Sequence, residues 1–140
     1  QWTTAGRGIV HAEGPTKEFV KKGGELEGIQ LWLNLPAAKK MMPANYQHVK
    51  SEEMNIIKND DETIALKIVA GEQQGSFGSI KTQTEVNVYT LETHENGSMN
   101  VELPKHHNSL IYLLDGEVLI NNEATLKKGA TQMLTFHQGK

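Results

Sequence analysis

The feature that most constrains this chain is Asp115-Gly116, set between two short apolar runs, residues 110–114 and 118–120. The dipeptide suits a type I′ turn, so the flanking runs are expected to pair as an antiparallel hairpin. The rest of the sequence repeats that rhythm. Residues 9–10, 29–35, 63–69, 86–91, 99–103 and 133–136 are β-prone, and most are bounded by glycine, proline or asparagine. Asn121-Asn122 and Lys128-Gly129 mark two further turns before the last run. Short strands at such intervals predict an all-β antiparallel sandwich or jelly roll. Helix formers gather only at residues 37–42, where Pro36 and Pro43 confine them to a turn or two. The polar, acidic stretch 50–61 is the expected border between two β units. No internal repeat is visible.

Several classes of function are excluded by composition. The chain of 140 residues has no cysteine, so disulfides and thiolate chemistry are absent and any metal must be held by His, carboxylate or water. A formal net charge of −3 argues against direct nucleic-acid binding, which usually needs a strongly basic face. No apolar run approaches the roughly 20 residues of a membrane span, and no signal peptide is visible. The opening Gln1-Trp2-Thr3-Thr4 reads as the inside of a strand, and the chain is expected to be trimmed at its amino end.

His11 and Glu13 are the sharpest chemical feature. On a strand, residues i and i+2 point to one face, so an imidazole and a carboxylate would project side by side. Such a pair suits Fe, Mn, Ni, Cu or Zn. Gly6 and Gly8 either let the backbone pass close to a buried centre or simply make a turn. His-x-Glu triplets are common, and spacing alone better fits a surface or hydrogen-bonded strand histidine. On a strand, His106 and His107 would face opposite sides and could not share a metal, and Asn108 suggests a loop there. His48, His94 and His137 read as surface residues. Trp2 and Trp32 read as strand residues that pack in a core or wall a pocket. No P-loop, GxSxG, zinc-finger spacing or dinucleotide fingerprint is present.

Three linked motifs carry a family resemblance. Thr4-Ala5-Gly6-Arg7-Gly8-Ile9-Val10-His11-Ala12-Glu13 resembles the second metal-binding segment in the amino-terminal cupin of the pirin family. Gln30-Leu31-Trp32-Leu33-Asn34-Leu35-Pro36 is similar to that family's QLW-x-N-LP strand, and Lys40-Met41, Pro43, Tyr46 and Gln47 to the K-M-x-P-x-Y-Q pattern after it. Ala70-Gly71-Glu72, Gly75, Gly78 and Lys81-Thr82 resemble the start of the second pirin cupin, and residues 112–116 its central hairpin.

The resemblance implies two antiparallel jelly-roll β-barrels, a bicupin. Residues 1–50 would be the C-terminal part of the first, metal-binding cupin. Residues 51–140 would be the second cupin, without a metal site of its own and incomplete at its C-terminal end. One mononuclear metal, usually iron, is implied in the first barrel, held by three His and one Glu. His11 and Glu13 match the last two of these ligands. The first two belong to a His-x-His segment upstream of this sequence. The implied activity is that of a quercetin 2,3-dioxygenase, opening a flavonol ring with O₂. His11 would then be a neutral ligand, and Glu13 both ligand and catalytic base for the 3-hydroxyl proton. A rival reading is a non-catalytic, iron-dependent regulator that binds a transcription factor or metabolic enzyme. A third is a structural cupin with a vestigial site. The expected location is cytoplasmic, or also nuclear in a eukaryote.

Overall fold

Strand propensity becomes a core where one strand alternates and finds partners on both edges. That strand is β4 (Ile64–Ala70), in which Ile64, Leu66, Ile68 and Ala70 are buried while Ala65, Lys67 and Val69 are half-buried. The period of two places the four apolar side chains on one face. Beside it lie β3 (Ile56–Lys58) and β7 (Val88–Thr93), both antiparallel, with Leu66 opposite Ile57 on one side and Leu91 on the other. The structure is a computed structural model that describes residues 1–94 and 96–137. No helix among the described residues is long and apolar enough to cross a membrane.

The chain divides into two units, Gln1–Met99 and Asn100–Lys140. The border expected near residue 50 therefore runs inside the first unit. There β3 grows out of the polar stretch, and Gln47 exchanges two hydrogen bonds with the Lys81 backbone, at 2.8 and 2.9 Å. The first unit also contains the antiparallel pair β1 (Trp2–Thr4) and β2 (Asn45–Gln47), and the short hairpin β5 (Glu72–Gln73) with β6 (Ser76–Phe77). One helix was not foreseen. α1 (Lys17–Lys22) is capped by Thr16, whose hydroxyl accepts the Phe19 N–H at 3.2 Å, and it closes at Gly23 with φ 73°. Glu18 in its first turn and Lys21 and Lys22 in its last complement the helix dipole. Residues 37–42 hold a single 3₁₀ turn, Ala37–Lys39.

In the second unit the strands are β8 (Ser109–Tyr112), β9 (Glu117–Ile120), β10 (Ala124–Lys127) and β11 (Met133–Phe136). Their pairing corrects the hairpin expected at Asp115-Gly116. β8 pairs with β11 and β9 with β10, so no ladder joins β8 to β9. A type I′ turn needs positive φ at both central residues, and Gly116 has it at 83° while Asp115 does not. Asn121 and Asn122 do have it, at 51° and 57°, and they form the tip between β9 and β10. The result is one long antiparallel hairpin bent at its middle. Leu113 N donates to Gln132 O at 2.8 Å and Lys128 N to Gly116 O at 3.1 Å, carrying the pairing through the bend.

Three runs read as strands stay outside any ladder: no strand passes through residues 9–10, 23–36 or 99–103 among the described residues. Trp32, expected on a strand, is 85% exposed.

Candidate metal centre

A tight turn delivers His11 and Glu13. β1 ends at Thr4, and Gly8 N closes a turn on Ala5 O at 2.9 Å. Gly6 takes φ 51° in this turn, and Arg7 N donates to Met42 O at 3.0 Å. A Cβ on Gly6 would stand 2.2 Å from that same oxygen. Of the two roles open to Gly6, the turn is the one the backbone uses.

Beyond the turn the chain runs without ladder bonds through residues 9–16. The two side chains meet there: His11 Nε2 lies 3.2 Å from Glu13 Oε1, with side-chain exposures of 39% and 41%. Two other residues join the carboxylate from distant parts of the sequence, and a third backs one of them. Gln1 Nε2 donates to Glu13 Oε1 at 2.7 Å, and Gln30 Nε2 donates to Oε2 at 3.1 Å. The Tyr46 hydroxyl donates in turn to Gln1 Oε1 at 2.9 Å. The β1–β2 register sets this up, with Thr3 opposite Tyr46 and Trp2 opposite Gln47. Alternation on β2 turns Tyr46 toward Gln1, while Gln47 bonds Lys81.

Several physical points bear on metal binding. An ionised carboxylate only accepts hydrogen bonds and offers about four lone-pair sites. Gln1 and Gln30 occupy two of them, and Oε1 also lies within hydrogen-bond distance of His11 Nε2. Two cis ligand atoms, each about 2.1 Å from one octahedral metal, stand about 3.0 Å apart. The 3.2 Å between Nε2 and Oε1 fits that spacing. Hydrogen-bonded amides behind the carboxylate are the usual outer support of such ligands. Donor set and spacing thus suit a divalent transition metal.

The other histidines lie elsewhere. His48, His94 and His137 are exposed, and His94 N bonds Thr63 O at 2.9 Å. His106 and His107 sit in a turn, not on a strand, and their rings pack edge to face with centroids 4.7 Å apart. The opposed-face argument from sequence therefore does not apply to them. A shallow cleft lined by Ile56, Ala65, Lys67, Thr90 and Glu92 contains no histidine. Sequence spacing missed Gln1 and Gln30 as partners of Glu13, and Tyr46 as the partner of Gln1. The only available signal was that Gln30 and Tyr46 belong to the quoted motifs.

Comparison with known proteins places this geometry in context. Pirin of Rattus norvegicus and Pirin of Homo sapiens are each 34% identical over 128 residues, spanning 91% of this chain. The chain covers 42% of the length of each. The crystal structure of a quercetin 2,3-dioxygenase from Acinetobacter baumannii matches with a TM-score of 0.87 at 30% identity. That match covers 96% of this chain and 46% of the other. No protein-family model matches. The chain thus spans less than half the length of these relatives.

Proposed function

We propose, for a chain that belongs to the pirin family and has its all-β cupin fold, that His11 and Glu13 hold a mononuclear iron for oxidative opening of a flavonol ring. The observation that carries this reading is the meeting of His11 Nε2 with Glu13 Oε1 at 3.2 Å, backed by two amide donors. When bound, the metal supplies Lewis acidity that lowers the substrate hydroxyl's pKa, together with one-electron chemistry toward O₂. The chain's own residues do the rest. His11 is a neutral imidazole ligand through Nε2. Glu13 would help hold the metal through Oε1, and its carboxylate would accept the proton of the flavonol 3-hydroxyl within one hydrogen-bond length. Gln1 and Gln30 keep the carboxylate from turning away while this happens.

Oxygen uptake by the iron-loaded protein with quercetin tests the activity. The expected outcome is quercetin-dependent O₂ consumption that falls on Glu13→Gln, because the amide keeps the shape but loses charge and basicity. Tight iron binding with no oxygen consumption would instead favour an iron-dependent regulator that docks on a protein partner. A pull-down comparing ferrous and ferric forms would identify that role.

A further inference from the structure

The bond from Gln30 to Glu13 crosses 17 residues of sequence and does not come from sheet pairing. No ladder runs through residues 23–36 among the described residues, and the neighbours Ile29, Leu31 and Trp32 are 60%, 52% and 85% exposed. Packing therefore gives Gln30 little reason to hold its side chain still. Its amide nonetheless reaches the one carboxylate that faces His11, and takes the oxygen that does not.

We infer that Gln30 is a positioning residue that anchors Oε2 of Glu13, so that only Oε1 is presented beside His11 and the carboxylate binds metal through one oxygen. This rests on the metal reading above. The chemistry is directional. A free carboxylate can swing to offer a metal both oxygens at once. A donor on Oε2 uses a lone pair of that oxygen and fixes the plane of the group. Gln1 holds Oε1 from the other side, and the Tyr46 hydroxyl occupies the oxygen end of the Gln1 amide. Both glutamines must turn their NH₂ ends to the carboxylate, because two facing acceptors would repel. Glu13 is thus clamped at each oxygen by a neutral donor. The clamp adds no charge that would repel a cation.

The test is a Co²⁺ titration of the whole protein, followed by visible absorption, with wild type, Gln30→Leu, Gln30→Glu and Glu13→Gln compared. Gln30→Leu keeps most of the side-chain volume without the donor. Gln30→Glu keeps the shape and puts an acceptor where the donor was. The expected result is a dissociation constant raised about 10- to 100-fold in both Gln30 variants, as for other outer partners of metal ligands. The Co²⁺ band intensity should change as well, reporting an altered coordination number. The urea midpoint of metal-free Gln30→Leu should stay at the wild-type value, which a merely structural Gln30 would not permit. If Gln30→Leu does not fold, Gln30→Glu carries the comparison. Unchanged affinity and spectrum in the Gln30 variants, with Glu13→Gln weakened, would overturn the inference and leave the metal reading intact. Unchanged affinity in Glu13→Gln would overturn both.

Discussion

Replacing Gly6 with alanine strikes the turn that aims the site. Gly6 sits at φ 51°, and a Cβ there would lie 2.2 Å from Met42 O, 3.1 Å from Met42 C and 3.2 Å from Pro43 C. All three atoms are backbone, so no flexible side chain can move aside. A left-handed backbone costs a residue with a side chain roughly 1–2 kcal/mol. Relieving the overlap means pushing Met42 away, which breaks the 3.0 Å bond from Arg7 N. Such a bond is worth about 1 kcal/mol net. The expected loss is about 3 kcal/mol, well above an ordinary surface substitution. Gly14→Ala is the matched control, since nothing lies within 4 Å of a Cβ there and its φ is not positive. It should stay within about 0.5 kcal/mol of wild type. Urea denaturation compares the two, and Co²⁺ affinity should fall with Gly6→Ala because His11 and Glu13 follow the turn. If the two variants unfold within about 1 kcal/mol of each other, the turn does not hold the segment as argued.

Three further outcomes follow from other parts of the fold. Leu66→Ala, at a side chain with 0% exposure, should cost about 3–5 kcal/mol in chemical denaturation, whereas Leu119→Ala, at 56% exposure, should cost far less. His11→Ala should abolish tight Co²⁺ binding, while His48→Ala, at an exposed position away from the Glu13 hydrogen bonds, should leave it unchanged in the same titration. The Lys128 ammonium, by hydrogen bond and then by charge, holds the Asp115 carboxyl below its ordinary pKa of 3.8. A depressed carboxylate contributes stability above pH 3.8 that is lost as pH falls through the folded value, so Asp115→Asn should flatten the acid limb of a stability–pH curve below about pH 4.

What was legible in the sequence divides along a physical line. β4 was legible because alternation and burial agree: Ile64, Leu66, Ile68 and Ala70 lie two apart and fill one face. The turns at Asn121-Asn122 and Lys128-Gly129 were legible because left-handed φ selects few residue types, and Gly129 sits at 78°. α1 left local signals that went unread, with Thr16 before it, Glu18 early, Lys21 and Lys22 late and Gly23 after. With no buried residue on any face, it lacks the apolar period by which helices are usually found. Residues 29–35 show the opposite failure. Their composition tolerates a strand, but a strand exists only where a second edge supplies hydrogen bonds, and none among the described residues does so.

Asp115-Gly116 and Glu13 illustrate the same limit at two scales. Residues 110–120 have the local grammar of a hairpin, yet Lys128 and Gln132 capture the backbone groups on either side of the glycine. Once Gly116 O accepts from Lys128 and Leu113 N donates to Gln132, folding β8 back on β9 would break both bonds. The competing ladders extend β8–β11 and β9–β10, and an Asp without left-handed φ offers no I′ geometry to oppose them. At Glu13, spacing foresaw its neighbour two residues back, because i and i+2 proximity is a property of extended chain. Its other partners are 12 and 17 residues away and arrive by pairing and loop path. Tyr46 reaches them only because β2 lies opposite β1 in the register that sets it beside Thr3. A slip of one residue would turn Gln47 toward Gln1 and Tyr46 toward Lys81, since each step along a strand reverses the face. The amide-to-backbone bonds of Gln47 with Lys81 resist that slip, so a contact remote from His11 keeps Tyr46 on the side of Gln1 and Glu13.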